Sequence, residues 1–383
     1  MRTGQNAQNW LYSALIGMLG LYESTYWTLV DHITDRFDMG VRLIGALLSI
    51  YAAGSFVSGT ISGMLADSMG KRRVVLCAGL FMVVGVSTVA SAASVPVILL
   101  GIFLAGMGHA PCESIGSAIL TDENPRSATK WMNISQIFFC VGAVVAPIAA
   151  VWYVSLPGRD YRGAIYVCAA ALLVCWLLLI FTSKGRLQKP ALAKREINPF
   201  NVLKNREFLL YTVLVFLYLC YESVAPAYFK QLFLQNGASE RMAGMSISIF
   251  WLAMILMRFA GIFLGGRELA CVRYLTPLVA VGVALLLLGG SDAARIVGVA
   301  LYGMGCGPVW PMLFVLGSRV FPERSGAAYA TMMLFVMAGN SLSPAILGSA
   351  VNNVRITFAL CAVLAALVTA GGWYAAKKYA HRA

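Results

Sequence analysis

The sequence predicts an all-helical membrane protein with twelve transmembrane helices arranged as two pseudo-symmetric bundles of six. Three observations predict this fold class. Of the 383 residues, 60% are apolar and only 12% are charged, whereas a soluble domain carries about 25% charged residues. Twelve apolar runs are each long enough for a helix that crosses a bilayer, which takes ~20 residues. The two halves of the chain also repeat each other's motifs at a nearly constant spacing.

This composition leaves little chain for anything outside the membrane. Twelve crossings with short loops use roughly two thirds of the chain, which largely excludes a catalytic domain, a nucleic-acid module or a long disordered tail. We therefore do not expect an enzyme. The nine cysteines stand singly in apolar runs or at their ends, and the three histidines are spread over the chain. We expect the cysteines to be small buried apolar side chains, with no metal site and no cofactor.

The spans follow from the positions of the apolar runs. The first six are expected at 10–33, 41–65, 74–93, 95–120, 132–155 and 163–182. The last six are expected at 208–229, 242–265, 274–290, 294–318, 326–350 and 356–376. The first run is too long for a signal peptide and no clear cleavage site follows it, so we expect it to remain in the protein.

A polar stretch at 183–207, with seven basic residues and two prolines, falls between the sixth and seventh spans. We expect it to be a cytoplasmic linker between an N-terminal bundle at 1–182 and a C-terminal bundle at 208–383.

The distribution of lysine and arginine predicts the orientation. With both termini in the cytoplasm, 20 basic residues lie on the inner side and 8 on the outer side, and Arg258 lies within a span. Cytoplasmic loops of membrane proteins carry such an excess, so the net charge of +13 reflects orientation and contact with anionic lipid. No basic patch is interleaved with aromatic residues, so no nucleic-acid partner is expected. We expect a multi-pass protein of the cell membrane, most simply a bacterial inner membrane.

Four matches between the halves, in the same order, indicate a duplicated six-helix unit. The matched stretches are LYES at 21–24 with CYES at 220–223, GMGHAP at 106–111 with GMGCGP at 303–308, Pro147 with Pro344, and Gly63 with Gly261. Their offsets are 199, 197, 197 and 198 residues. Transporters built from two such repeats bind substrate near the middle of the membrane.

The loop after the second span reads GMLADSMGKRR at 63–73. It closely resembles the G-x-L-x-D-x-x-G-R/K-R/K signature of the major facilitator superfamily. The resemblance covers the whole chain and implies a conformational latch formed by Gly63, Asp67, Gly70 and Arg72, with which we group Arg258. Asp67 can face the N-terminus of a neighbouring helix. A plain charged loop that only sets topology is the alternative. The second half has Gly265 where Asp67 would fall, so only one copy of the motif is complete.

A narrower resemblance is to the fucose/glucose–galactose proton symporter branch of that superfamily. It is carried by these stretches: 108–114 with its acid, 132–147, 218–222, 258–261 and 307–311. The resemblance implies symport of a sugar-like solute with protons.

Five ionisable groups fall in the interior of the predicted spans, away from their ends, where each costs ~2.5–3.5 kcal/mol to insert. They are Glu23, His109, Glu113, Glu222 and Arg258. At 1.5 Å rise per residue, Glu23 and His109 lie at similar depth, ~17–20 Å from the cytoplasmic ends of their helices, and Glu113 lies one turn below. We predict that these three couple transport to protons. Glu113 could also meet Arg258 at a similar depth.

Alternatives remain for four of these groups. His109 could bond a backbone carbonyl near Pro111, and Arg258 could anchor its helix near the inner surface. Glu113 could be an acid at a packing site only, and Glu222 could be hydrated toward the outer side.

Polar and aromatic side chains at similar depths are candidates for binding substrate. They are Tyr22, Tyr26, Trp27, Asn133, Gln136, Tyr221, Glu222, Trp310 and Asn340. Sugar sites combine amide and carboxylate hydrogen bonds with an aromatic platform. A tryptophan in a membrane protein can equally be an interfacial anchor, and this alternative stays open for Trp27 and Trp310.

These features predict a secondary transporter that is driven by a proton gradient. No nucleotide-binding G-x-x-x-x-G-K-S/T loop is present in the sequence, so direct ATP coupling is not supported. A carboxylate in a dry site holds its proton more tightly than in water, so it can load and unload near neutral pH. Uptake of a small polar solute is the first hypothesis, and efflux of an amphipathic drug or metallophore is the second. A receptor or lipid-handling protein is the third, and it would need an extra domain or a lateral opening. We expect a monomer.

Overall fold

A computed structural model describes residues 2–38, 40–182, 199–349 and 353–379. These residues form fifteen α-helices and three short 3₁₀ turns. The helices of the first half are α1 (Arg2–Thr28), α2 (Val30–Arg36), α3 (Gly40–Met69), α4 (Lys71–Ser91), α5 (Val95–Glu123), α6 (Ala128–Ser155) and α7 (Tyr161–Thr182). Those of the second half are α8 (Arg206–Glu222), α9 (Val224–Gln235), α10 (Glu240–Gly261), α11 (Glu268–Leu288), α12 (Asp292–Cys306), α13 (Val309–Val320), α14 (Ser325–Ser349) and α15 (Val354–Tyr379).

Each predicted span corresponds to a helix or to a broken pair of helices. Ten segments of the described residues are long and apolar enough to cross a membrane. The two remaining expected spans, at 10–33 and 326–350, correspond to α1 with α2 and to α14, which are not among the ten. The structure therefore supports an all-helical membrane fold.

Three spans that we expected to be continuous are interrupted, at Leu29, Ser223 and Gly307. At the third break, Pro308 has no N–H to donate to the preceding turn, and α13 starts anew at Val309. At the second, the hydroxyl of Ser223 donates to the carbonyl of Leu219 at 2.7 Å, a side-chain bond that competes with the helical ladder and bends helices.

Most of the expected linker, at 183–198, lies outside the described residues. Its last part forms the 3₁₀ turn Pro199–Lys204, and α8 then begins at Arg206, where Asn205 accepts hydrogen bonds from two backbone N–H groups of the first turn.

The contacts divide the chain into two compact units. The first is bounded by Met1–Pro125, Ile134–Phe200 and Pro322–Met333, and the second by Arg126–Asn133, Asn201–Phe321 and Leu334–Ala383. The first turns of α6 thus belong to the second unit, and the first turns of α14 belong to the first. This grouping is not the plain division at 182 and 208 that the sequence predicts.

Closely packed glycines reproduce the internal repeat. In the first unit Gly85 on α4 faces Gly101 on α5, and a Cβ on Gly85 would lie 2.8 Å from the carbonyl oxygen of Gly101. In the second unit Gly282 on α11 faces Gly298 on α12 in the same way, at 2.5 Å. The residues of the two pairs are 197 positions apart. Small residues let membrane helices approach this closely, so the duplication extends from the motifs to the packing.

Eight of the nine cysteines are buried, as expected for small apolar side chains, and all nine are free thiols. Cys77 is the exception to the expectation because it is exposed on α4.

Candidate functional site

Four helices of the first unit bring ionisable and polar side chains together. His109 on α5 places its Nε2 3.4 Å from Oε2 of Glu113 and 4.0 Å from Oε2 of Glu23 on α1. Its Nδ1 lies 2.6 Å from the hydroxyl oxygen of Tyr51 on α3. The side-chain amide of Gln136 on α6 donates to Oε1 of Glu113 at 3.4 Å. We call these five residues the acid–imidazole cluster.

Helical spacing explains part of this arrangement. Glu113 follows His109 by four residues, which places both side chains on one side of α5. Pro111 stands between them inside the helix and cannot donate to the preceding turn. His109 is 5% exposed and Glu113 is 7% exposed, so both are enclosed by protein rather than by water.

The two ring nitrogens of His109 face different kinds of partner. A tyrosine hydroxyl can donate to Nδ1 or accept from it, so it stays hydrogen-bonded whether the imidazole is neutral or charged. The two carboxylates beside Nε2 can accept a proton from that nitrogen. The cluster can therefore take up a proton, hold it on any of three side chains and release it.

The predicted depths of Glu23, His109 and Glu113 agree with this geometry, since the structure brings the three side chains together. His109 does not bond a backbone carbonyl in the described residues but is hydrogen-bonded to Tyr51. Sequence reasoning missed Tyr51, because an aromatic residue in an apolar run usually indicates packing. The sequence holds one indirect indication of this contact, a glycine on α5. Gly106 has no side chain, so the backbone of Tyr51 on α3 can lie against α5 at that point.

Aromatic candidates lie next to the cluster on α1. The rings of Tyr22 and Tyr26 stack at 6.0 Å, and Tyr26 meets Trp27 edge-on at 4.7 Å. Tyr22 is fully buried and Tyr26 is 1% exposed, and neither hydroxyl has a hydrogen-bond partner among the described residues. Buried hydroxyls are normally paired, so each of these two keeps an unused donor and acceptor. Trp27 is half-buried.

The second unit holds its own acid. Glu222 ends α8 and is half-buried, and its carboxylate interacts electrostatically with the guanidinium group of Arg258. Arg258 is 5% exposed and donates from Nε to the carbonyl of Gly307 at 3.0 Å. It therefore lies against the break between α12 and α13. The hydroxyl of the neighbouring Tyr221 is buried and has no partner in the described part of the chain.

The other predicted substrate residues differ in burial and in their contacts. Trp310 is 5% exposed and stacks on Phe314 at 4.3 Å, which fits packing as well as binding. Asn340 is exposed. Asn133 is fully buried in the second unit and donates to the carbonyl of Thr129 at 2.9 Å, whereas Gln136 belongs to the first unit.

The loop motif caps a helix. Asp67, near the end of α3, accepts hydrogen bonds from the backbone N–H groups of Gly326 at 3.2 Å and Ala327 at 3.0 Å. These are orphan donors in the first turn of α14, where the helix dipole also favours a negative charge. Gly63, one turn earlier on α3, lies against Ala327 so closely that a Cβ would be 2.9 Å from its Cα. Asp67 does face a helix N-terminus, as the motif predicts.

The rest of the motif turns the chain and adds an ion pair. Gly70 has φ +97°, a conformation that favours glycine, and it joins α3 to α4. Lys71 pairs with Asp122 at 2.9 Å, and Ser325 donates to the same carboxylate at 2.8 Å. Arg72 is buried at 7% exposure.

A matching network in the second unit was missed. Glu268, at the start of α11, is 1% exposed. It accepts from both terminal nitrogens of Arg319, at 2.8 and 3.2 Å, and from the hydroxyl of Thr129 in the first turn of α6. Glu268 and Arg319 lie 197 residues after Lys71 and Asp122, so the ion pair recurs with its charges exchanged. A pattern that requires the same charges at the same positions does not detect this pair, because acid and base are exchanged.

Comparisons with known proteins agree with this architecture. The sequence profile of the Major Facilitator Superfamily matches residues 13–344. An uncharacterized transporter of Sinorhizobium fredii, y4wD, is 24% identical over 362 residues, covering 91% of this chain and 93% of the relative. The multidrug resistance protein MdtL of Escherichia coli is 22% identical over 302 residues, covering 77% and 76%.

A solved structure gives the same fold. The Escherichia coli fucose:proton symporter FucP superposes with a TM-score of 0.83 over 96% of this chain and 98% of that one, at 15% identity. A likeness at that identity speaks for the fold. The family profile covers most of the chain, the helices and their repeat follow the same plan, and the chain is therefore a member of the major facilitator superfamily, a multi-pass membrane transporter.

Proposed function

We propose that the chain is a proton-coupled secondary transporter with twelve membrane crossings, and that it moves a small polar, sugar-like solute by alternating access. The observation that carries this proposal is the acid–imidazole cluster. Three ionisable groups and a tyrosine occupy the apolar interior of the first unit. Each ionisable group there costs about 2.5–3.5 kcal/mol to insert, and groups kept at such a cost usually have a function.

The cluster supports proton coupling through its connectivity. A proton on Glu113 or Glu23 neutralises one of two carboxylates that face the same imidazole nitrogen. Releasing it restores a net negative charge, which is expensive in a dry site and cheap in a wet one. Proton occupancy therefore depends on which side of the membrane supplies water to the cluster.

The solute class follows from the polar groups that remain unused. In the first unit, the buried hydroxyls of Tyr22 and Tyr26 can each donate to a solute oxygen or accept from a solute hydroxyl. In the second unit, the hydroxyl of Tyr221 can do the same, and Glu222 offers a carboxylate that accepts hydrogen bonds from hydroxyls. Aromatic rings beside these groups offer apolar faces to the C–H bonds of a ring-shaped solute.

A second candidate function is proton-driven efflux of an amphipathic compound. It is favoured by the amides, because Gln136 donates to Glu113 and Asn133 donates to Thr129, so each buried amide uses an N–H group within the protein. The rings of Tyr22, Tyr26 and Trp27 offer apolar surface to such a compound. The relative MdtL is named a multidrug resistance protein, which is in keeping with this alternative.

The two candidates are separated by a thermal-shift screen of the purified chain against sugars, sugar acids and amphipathic cations, followed by transport in proteoliposomes. A stabilising sugar that accumulates when the lumen is made alkaline relative to the bath supports uptake. A stabilising amphipathic cation that is exchanged for protons supports efflux. Transport that is indifferent to a proton gradient contradicts both.

The proposed setting is the bacterial inner membrane, with both termini in the cytoplasm and a monomeric chain. The orientation rests on the excess of lysine and arginine in alternate loops.

A further inference from the structure

A cationic and aromatic patch lies where α11 begins and α15 ends, in the second unit. The guanidinium carbon of Arg273 is 4.8 Å from the ring centroid of Trp373 and 5.3 Å from that of Tyr274. The two rings meet edge-on at 5.6 Å and 82°. Trp373 is 48% exposed and Tyr274 is 59% exposed, so the guanidinium lies beside two rings that are both partly exposed.

The position of Arg273 is held by the helices. Gly372 leaves room for its stem, since a Cβ there would lie 3.3 Å from Cγ of Arg273. Its Nε donates to the carbonyl of Leu269 at 3.3 Å. The terminal nitrogens are not taken up by any carboxylate among the described residues, because the ion pairs found there do not include Arg273.

Two more cations extend the patch along α15. Lys377 follows Trp373 by one turn on the same side of the helix, and it is exposed. Lys378 is also exposed and donates to the hydroxyl of Tyr374 at 2.9 Å. Arg273, Lys377 and Lys378 thus place three positive charges at one end of a helix pair, with no acidic partner for them in the described ranges.

The surface next to these charges is apolar and exposed. Tyr274, Val281 and Leu288 follow one another at intervals of seven residues on α11 and are 59%, 50% and 84% exposed. On α15, Tyr374 and Leu367 are likewise 51% and 50% exposed. A stripe of this kind faces lipid chains, and tyrosine and tryptophan at its end mark the headgroup level.

We propose that Arg273, Tyr274, Trp373, Lys377 and Lys378 form a binding site for an anionic phospholipid. The planar guanidinium offers a fork of N–H donors that matches the phosphate oxygens, and the two rings hold it in place by cation–π contact. The lysines neutralise the net charge of the headgroup, and the acyl chains lie along the stripe that begins at Tyr274. Because α11 begins and α15 ends on the side to which the basic loops are assigned, the lipid belongs to that leaflet.

The net charge distinguishes this occupant from an ordinary annular lipid. A zwitterionic lipid offers the same phosphate but brings its own cation, which three basic residues would repel. The site should therefore prefer phosphatidylglycerol to phosphatidylcholine.

Native mass spectrometry of the purified full chain, titrated with each lipid, tests the proposal. Wild type should retain phosphatidylglycerol in preference to phosphatidylcholine. Arg273→Gln should weaken phosphatidylglycerol binding about fivefold, the value of one basic residue at an anionic surface, and Arg273→Gln with Lys377→Gln should weaken it further. Trp373→Leu keeps every charge and should weaken it as well.

The matched control is Arg241→Gln, which removes an exposed arginine at the start of α10 and should leave lipid binding unchanged. Equal retention of the two lipids by wild type overturns the proposal. Equal phosphatidylglycerol binding by Arg273→Gln and wild type does so too. Neither result bears on proton coupling, which depends on residues of the first unit.

Discussion

The proposed proton chemistry depends on His109, because one of its ring nitrogens contacts a tyrosine hydroxyl and the other lies near two carboxylates. The sequence places Glu23 and His109 at one depth, since both are counted from helix ends with a fixed rise per residue. It does not reveal Tyr51, whose position depends on how α3 approaches α5. Depth along a helix can be predicted from sequence, whereas the side chain opposite it requires the packing.

The first prediction concerns Glu113. Glu113→Gln should abolish proton-driven accumulation of substrate and leave exchange between preloaded proteoliposomes largely intact. Exchange does not require the empty carrier to return with its proton released. Gln keeps the bond to Gln136 and the volume of the side chain, so folding should be unaffected. If the variant accumulates substrate against its gradient as well as wild type does, the proton site lies elsewhere, and Glu23 is the next candidate.

A second prediction separates the two acids that the repeat matches. Glu23 has His109 within 4.0 Å, whereas the position that matches His109 in the second half is Cys306, which supplies no cation. Glu23→Gln should therefore change the dependence of substrate affinity on pH. Glu222→Gln should keep that dependence and weaken binding by ~1 kcal/mol, because it retains an acceptor. Titrations of both variants across pH decide the assignment, and the opposite pattern would reverse it.

At the scale of elements, α6 and α14 each have first turns that belong to a different compact unit from the rest of the helix. The first turns of α14 are capped by Asp67 in the first unit, and the first turns of α6 are bonded to Glu268 in the second. The motif at 63–73 predicts the cap at Asp67 because it contains an acid next to a helix end. Nothing in the sequence identifies Glu268, since its partner Arg319 lies far along the chain and the charges are exchanged relative to Lys71 and Asp122.

The third prediction tests the cap. Asp67→Asn leaves one side-chain oxygen for two backbone N–H donors and turns an NH₂ group toward one of them. The free energy of the capped state should therefore rise by ~1–3 kcal/mol relative to a state in which α14 is released. Transport should fall while the protein still inserts and folds. Accessibility of single cysteines from each side of the membrane should shift. Wild-type transport with unchanged accessibility would contradict the latch.

The fourth prediction concerns the reversed ion pair. Glu268→Gln should lower the free energy of unfolding by about 1–3 kcal/mol, because it places an amide against the guanidinium of Arg319 in a buried position. Thermal unfolding of the purified variant measures the loss. Glu323→Gln, in the exposed 3₁₀ turn Pro322–Arg324, is the matched control and should unfold like wild type. A Glu268→Gln protein as stable as the control would show that the pair contributes little.

At the scale of the whole molecule, composition and repetition predicted most of the architecture. Membrane helices must satisfy their own backbone bonds, so runs of apolar residues identify them reliably. The breaks at Leu29, Ser223 and Gly307 were not predicted. A short interruption barely changes the mean hydropathy of a span, and Pro111, which matches Pro308, leaves α5 unbroken. Substrate identity is the least accessible to sequence, because it depends on which few polar groups remain unpaired after folding.

The fifth prediction is the orientation of the chain. Twenty basic residues on one side against eight on the other predict that the loop after α3 is cytoplasmic and that the loop after α6 is external. Two exposed serines make a matched pair for the test, since Ser68 and Ser155 each end a helix and each donate to the carbonyl three residues earlier. In a Cys77→Ser background the eight remaining native thiols are buried. A membrane-impermeant maleimide added to intact cells should therefore label Ser155→Cys and spare Ser68→Cys. Inverted membrane vesicles should give the reverse pattern. Labelling of both variants from one side would contradict the alternation of loops, and labelling with the sides exchanged would place the basic loops outside.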